Sequence, residues 1–299
     1  MLSNIKGMRI YLTRILLPVH FKSRTQNLEL RTFGFWLLPP DFCILVFMMR
    51  GLTDTHAHIC DPVFDADRTI VLEKARKSGI TGIIAVGEDL ADAEKNLSLA
   101  AEYPMICPAA GLFPTNLDRA LSANICDFIR SHAGSLAAIG EVGLDYWKVQ
   151  SESDREIQRD IFRSFIDLSL QLDLPLNVHS RSAGRHTIEF LLKHSAARVQ
   201  LHAFDGKPGS ASPGVEAGFY FSIPPSIIRS AQKQKLVKKL PLANILIETD
   251  SPVLGPTPGD RNEPANALMV VRAIAELKSF HEAEVLEAVV ENTRRLYGE

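Results

Sequence analysis

The sequence predicts an α/β chain folded as a (β/α)8 TIM barrel, and three observations carry that expectation. From residue 51 onward, short apolar runs alternate with stretches of helical spacing, eight times in about 200 residues. Apolar strands bounded by helices imply a parallel sheet covered on both faces, and eight such units close into a barrel more readily than they spread into an open sheet. No long linker interrupts the series, so residues 51–299 read as one domain. Histidine and acidic residues follow the apolar runs, at the strand ends where a barrel of this kind carries its chemistry.

The elements follow in order. Gly51–His56 reads as a buried strand, and Asp65–Ser78 shows helical spacing through Ile70, Val71 and Ala75 before Gly79, a helix-ending signal. Ile80–Val86 is the second apolar run, with a helix over Ala91–Tyr103; Met105–Leu112 is the third, with a helix over Asn116–His132. Leu136–Val142 makes a fourth strand. Ser153 and Glu156 have the spacing of a capping box, so a helix is expected from there to about Leu172. Leu174–His179 precedes a helix over Arg185–His194, and Val199–His202 is strand six. Gly218–Ile223 is strand seven, with a helix over Ser226–Leu240, and Ile245–Asp250 is strand eight. A second capping-box spacing, Ser279 to Glu282, predicts a closing amphipathic helix with Leu286, Val289, Val290 and Leu296 turned inward.

Composition bounds the function. Lys plus Arg number 33 against 35 Asp plus Glu, a formal charge of −2, so there is no global basic footprint for nucleic acid. Phosphate chemistry would need a local cleft or metal ions. The four cysteines, Cys43, Cys60, Cys107 and Cys126, lack Cys-x-x-Cys spacing, and a reduced intracellular location, cytoplasmic or nuclear, is expected. Residues 1–50 differ from the rest: the first 40 carry Lys6, Arg9, Arg14, Lys22, Arg24 and Arg31 with Glu29 as their one acid. They are expected to be a poorly ordered extension. An Arg-rich, acid-poor start also suits a mitochondrial transit peptide, which is the alternative. Phe33–Met49 is apolar but broken by Gly34, Pro39, Pro40 and Asp41, short of the ~20 apolar residues a spanning helix needs. No protein partner is evident.

The candidate site is a set of strand ends. His56 and His58 are two apart on a strand and so share a face. Glu141, His179, His202 and Asp250 each follow an apolar run that would otherwise be core: Leu136-Ala-Ala-Ile-Gly, Leu174-Pro-Leu-Asn-Val, Val199-Gln-Leu and Ile245-Leu-Ile-Glu-Thr. Six imidazoles and carboxylates on five strand ends would be costly to crowd together without a counter-charge. One or two divalent metal ions remove that cost. Nitrogen and oxygen donors suit Zn²⁺ and also admit Mn²⁺ or Mg²⁺. Glu141 could bridge two ions, and Asp250 could bind one and also act as the base that holds the attacking water. Arg181 and Arg185 could grip a phosphate by paired contacts, with surface solvation as the alternative. Arg229, Lys233, Lys235, Lys238 and Lys239 read as a solvated helix face. Asp145 and Asp205, just beyond ligand motifs, could orient the ligands.

These residues resemble the TatD-type metal-dependent deoxyribonucleases of the amidohydrolase-like barrel group. The motifs that carry the resemblance are Asp54-Thr-His-Ala-His58, Gly140-Glu-Val-Gly-Leu-Asp145, Asn177-Val-His-Ser-Arg181, Leu201-His-Ala-Phe-Asp-Gly206 and Glu248-Thr-Asp-Ser-Pro252, with further matches at Phe221–Arg229 and Arg261-Asn-Glu-Pro264. The stretches His179–Arg185, Ser222–Arg229 and Gln232-Lys-Gln-Lys-Leu-Val-Lys238 look most like the branch called TatD DNase domain-containing protein 3. The likeness spans about residues 51–297. It implies hydrolysis of DNA phosphodiester bonds, often from an end. It also implies one metal site at His56, His58 and Glu141, with Asp250 contributing, and a second at Glu141, His179 and His202. The sequence departs from the family after strand three, where Gly111-Leu-Phe-Pro114 stands for the usual Gly-x-His-Pro. Phe113 can neither bind a metal nor move a proton, so rate or substrate choice is what this change touches. The same donor set would equally serve hydrolysis of a small-molecule ester, amide or lactone, and Phe113 alone encourages a degenerate, metal-binding barrel without nuclease activity.

Overall fold

The computed structural model describes residues 51–298. The extension expected at residues 1–50 lies outside the described residues.

Eight parallel strands pair in sequence order: β1 (Leu52–Ala57), β2 (Ile80–Ala85), β3 (Ile106–Ala110), β4 (Ala138–Gly143), β5 (Leu176–His179), β6 (Val199–Leu201), β7 (Tyr220–Ile223) and β8 (Ile245–Ile247). The chain beyond β8 returns to β1: the amide of Asp250 donates to the carbonyl of His56 at 2.8 Å, and Thr55 Oγ1 to the carbonyl of Ile247 at 2.8 Å. The barrel expected from the sequence is the barrel found, and its strands are buried on both faces, as helix-covered parallel strands must be. The observed strands are mostly shorter than the apolar runs, and at β6 and β8 the polar residue that ends the run, His202 or Asp250, lies in the loop that follows.

Helices follow the strands: α1 (Arg68–Lys77), α2 (Leu90–Glu102), α3 (Arg119–His132), α4 (Glu152–Leu172), α5 (Gly184–Lys193), the five-residue α6 (Ser212–Glu216), α7 (Ala231–Lys239), α8 (Ala267–Lys278) and α9 (Glu282–Tyr297). The periodicity did not single out α6 or α8. The second reads ALMVVRAIAELK, too uniformly apolar to display one stripe, and it buries Val270, Val271 and Ile274.

Both expected capping boxes sit two residues off. Ser151, not Ser153, receives the amide of Asp154 at 3.1 Å and starts α4. His281 with Glu284 caps α9, whereas Ser279 ends α8 in the left-handed region at φ 58°. The expected helix over Ser226–Leu240 is divided: Pro225–Ile228 forms a 3-10 turn, and Ser230 caps α7 by accepting from Lys233 N at 3.3 Å. The basic run there is not wholly solvated. Lys235, Lys238 and Lys239 are exposed, but Lys233 is buried and its Nζ donates to the carbonyls of Ala203 and Phe204. No described helix is long and apolar enough to cross a membrane.

Candidate metal centre

At the C-terminal mouth of the barrel the six expected residues converge. His56 lies inside β1 and His58 just past it; Glu141 lies in β4, His179 ends β5, His202 follows β6, and Asp250 lies three residues beyond β8 at φ 55°. Glu141 is the centre of the arrangement. Its Oε2 faces the first histidine pair, 3.7 Å from His56 Nε2 and 3.3 Å from His58 Nε2. Its Oε1 faces the second, 2.6 Å from His179 Nδ1 and 2.9 Å from His202 Nε2. Asp250 Oδ1 adds to the first group, 3.4 Å from His56 Nε2 and 3.6 Å from His58 Nε2.

These separations bear on a metal. Ligands at 2.0–2.2 Å from a tetrahedral ion stand about 3.3–3.6 Å from one another. The two histidines of the first pair are 3.3 Å apart, and with Glu141 and Asp250 they form a four-donor set of nearly that size. The second set, Glu141, His179 and His202, is tighter, as a hydrogen-bonded imidazolium is. Three groups of donors lie close enough together to hold an ion: His56, His58 and Glu141; Glu141, His179 and His202; and His56, His202 and Glu248.

Two of the imidazoles, His56 and His179, are set from behind. Asn177 Nδ2 donates to the carbonyl of Thr55 at 2.9 Å, which turns its Oδ1 to His56 Nδ1 at 2.8 Å. That oxygen can only accept, so the His56 proton sits on Nδ1 and the lone pair of Nε2 points into the centre. On His179 the pattern is reversed. Asp145 Oδ2 lies 3.1 Å from Nε2, leaving Nδ1 for the centre, and the other oxygen of Asp145 accepts the amides of Trp147 and Lys148 at 2.9 and 2.8 Å. Asp145 therefore orients a candidate ligand as expected. Asp205 does not: its carboxylate receives the amide of Ser182 at 2.8 Å and holds the loop after β5.

Charge follows the same geometry. Burial disfavours ionisation of Glu141, but His202 and His179 outweigh it and hold the carboxyl well below the usual carboxylate range. Burial likewise opposes protonation of His179, yet Glu141 and Asp145 push it up to about 9. His202 goes the other way, to about 4, because burial and the positive field of His56 exceed the pull of Glu141. His58 is raised well above its usual value: burial works against the proton, and contacts with Asp250 and Glu141 overcome it. Asp250 is lowered despite burial by its contacts with His56 and His58. Without metal, the centre balances its carboxylates with protons on imidazoles, the charge a divalent ion would replace.

Beneath the donors lies a layer that the motif reading did not assign. Two residues before His56, His179, His202 and Asp250 stand Asp54, Asn177, Gln200 and Glu248, all fully buried. Gln200 Nε2 donates to Ser222 Oγ at 2.8 Å and to the carbonyl of Thr55 at 3.1 Å, and the Ser222 hydroxyl donates in turn to Glu248. Tyr297, in the last turn of α9, donates to Gln200 Oε1 at 2.6 Å. Asp54 accepts from the amide and hydroxyl of Thr249, which pins the start of the loop after β8. Burial pushes Asp54 up to about 7 and Glu248 up to about 8, against their hydrogen bonds and the nearby His56. The signal was present in the sequence: a polar residue two positions before a ligand shares its strand face.

The two arginines part company. Arg181 lies at the mouth with its guanidinium 3.7 Å from the ring centroid of Trp147. Arg185 is on the exposed side of α5, 3.7 Å from Glu189, and stands in a surface pair. Phe113 packs edge-on against His179, ring centroids 5.1 Å apart, where the family pattern would put a histidine.

A parallel barrel whose strand ends gather histidines around a shared carboxylate has the build of a metal-dependent hydrolase. The chain matches the family model described as TatD related DNase over residues 53–298, and it belongs to that family. It is 44% identical over 264 residues to the human protein named deoxyribonuclease TATDN3, covering 83% of this chain and 94% of that one. A Bacillus subtilis protein named as the uncharacterized metal-dependent hydrolase YabD is 34% identical, covering 82% of this chain and 98% of that one. Among solved structures, YJJV, a TatD homologue from Escherichia coli, superposes with a TM-score of 0.77 at 27% identity, covering 84% of this chain and 99% of that one. The first of these relatives is of the branch to which the motifs around Arg181, Ser226 and Lys233 pointed.

Proposed function

We propose that the protein is a metal-dependent deoxyribonuclease that hydrolyses phosphodiester bonds at DNA ends, with two divalent ions, Zn²⁺, Mn²⁺ or Mg²⁺, held at the barrel mouth. The observation that carries this reading is Glu141, which turns one carboxylate oxygen to each of two histidine pairs. His56, His58, Glu141 and Asp250 would hold one ion; Glu141, His179 and His202 would hold the other. Bound there, the ions would polarise a phosphoryl oxygen and lower the pKa of water towards neutrality.

The protein's own residues supply the rest. Asn177 and Asp145 keep the ring nitrogens of His56 and His179 aimed inward. Asp250, placed beside His56 and His58, would hold the attacking water and accept its proton. Arg181 stands at the mouth as the candidate phosphate contact, and Arg185 is kept only as a more distant electrostatic one. The net charge of −2 does not oppose this chemistry, because the ions provide the local positive field. The name of the human relative and the description of the family model support DNA as the substrate class. An intracellular location is part of the proposal, in keeping with the free thiols of Cys60 and Cys126.

The test is release of nucleotides from end-labelled DNA by the purified protein with Mg²⁺ or Mn²⁺, stopped by chelator. No release with any divalent metal, alongside turnover of a small ester or amide, overturns the reading.

A further inference from the structure

Trp147 is 48% exposed, at the tip of the loop that follows β4. A lone exposed apolar side chain is ordinary, but the surroundings of this one are not. The guanidinium of Arg181 lies 3.7 Å from its ring centroid and the ammonium of Lys148 lies 4.6 Å from it. Among the described residues neither cation makes a side-chain hydrogen bond or an ion pair, and both lie over the exposed ring.

Both halves of this arrangement are rooted in the metal centre. The amides of Trp147 and Lys148 donate to one oxygen of Asp145, whose other oxygen contacts His179. Arg181 is two residues past His179, and its carbonyl accepts the amide of Tyr146 at 3.0 Å. The stacked pair is therefore held in register with the donors, rather than being carried on an independent loop.

Resting on the nuclease reading above, we propose that Trp147, Arg181 and Lys148 form a subsite for one unpaired nucleotide next to the scissile phosphate. The base stacks on the Trp147–Arg181 surface, and the two cations meet the flanking phosphates. An aromatic ring and an arginine plane accept any base with a free π-face. Within a duplex, both faces of a base are covered by its neighbours. The subsite therefore takes a base whose faces are not covered by duplex neighbours.

The test separates this subsite from the nuclease reading by measuring binding without turnover. The full chain, carrying Trp36→Phe so that Trp147 is the one tryptophan, is held in chelator and titrated with a short oligothymidylate and with the same backbone lacking bases. The oligothymidylate should quench Trp147 emission and bind roughly tenfold more tightly than the abasic strand. Trp147→Ala should bring the two labelled strands to equal affinity by anisotropy. Arg181→Lys, which keeps the charge and loses the plane, should reduce the preference several-fold, and it decides the matter should Trp147→Ala fail to fold. Equal binding of both strands by the parent protein, or a base preference that survives Trp147→Ala, overturns the subsite and leaves the nuclease reading standing. Failure of nucleotide release with every metal, with the base preference intact, removes the nuclease reading instead.

Discussion

His56 Nδ1 lies 2.8 Å from Oδ1 of Asn177, whose own amide is spent on the carbonyl of Thr55. One side chain thereby fixes which nitrogen of a candidate ligand carries its proton. Asn177→Ala should weaken metal binding by about 10–100-fold, the usual cost of removing a ligand's supporting contact. The Thr55 carbonyl keeps its bond from Gln200, so the fold should survive. Titration with a metal-sensitive dye reads the affinity, and an unchanged value would show that His56 needs no such support.

Glu141 contacts both histidine pairs, so its removal should empty both metal positions. Glu141→Ala is expected to lose most bound metal and nuclease activity together. Elemental analysis showing unchanged stoichiometry would sink the shared role.

Metal uptake should depend steeply on pH. His179 binds its proton up to about pH 9 in the folded metal-free protein, against a usual value of 6.5. The stability its proton lends is complete below about pH 6.5 and is lost as pH rises through 9. Asp54 and Glu248, raised to about 7 and 8, run in the same direction. Glu141 and Asp250 are lowered, so their contribution is present above the usual carboxylate range and is lost as pH falls below it. The chelated protein should therefore melt highest in mildly acidic buffer and lower at pH 9. Metal displaces the histidine protons, so the stabilisation it gives should grow over that same rise in pH. Thermal melts with and without metal across this range check the sign.

Lys233 Nζ donates to the carbonyls of Ala203 and Phe204, next to His202. Lys233→Met keeps the apolar stem and strands a buried carbonyl, which costs about 1–3 kcal/mol. Urea unfolding should show that loss, whereas Lys238→Met on the exposed face should fall within about 0.5 kcal/mol of the parent.

Phe113 presses on the ring of His179 without offering a donor. Phe113→His should raise kcat on DNA by about a hundredfold, the low end of what a positioned proton donor contributes, with little change in metal content. A kcat that stays level would mean that the barrel has moved this duty to another residue.

The order of the barrel strands, the six candidate donors and the helices α1–α5 were legible in the sequence, because apolar periodicity and the polar residue ending each run are local properties of the chain. The caps were legible only to within two residues. Ser151 and Ser153 both stand three positions before a residue able to complete a box or donate an amide, and the direction of the preceding chain chooses between them. What the sequence left undetermined is what barrel closure brings together. Asn177 meets Thr55 across 122 residues, and Thr249 meets Asp54 across 195. The two orientations of the Glu141 carboxylate, the polar layer beneath the donors, the burial of Lys233 and the stacking of Arg181 on Trp147 all depend on such contacts. Side-chain direction along one strand is fixed by the backbone's period of two, but which strand's side chain lies opposite is set by the tertiary fold alone.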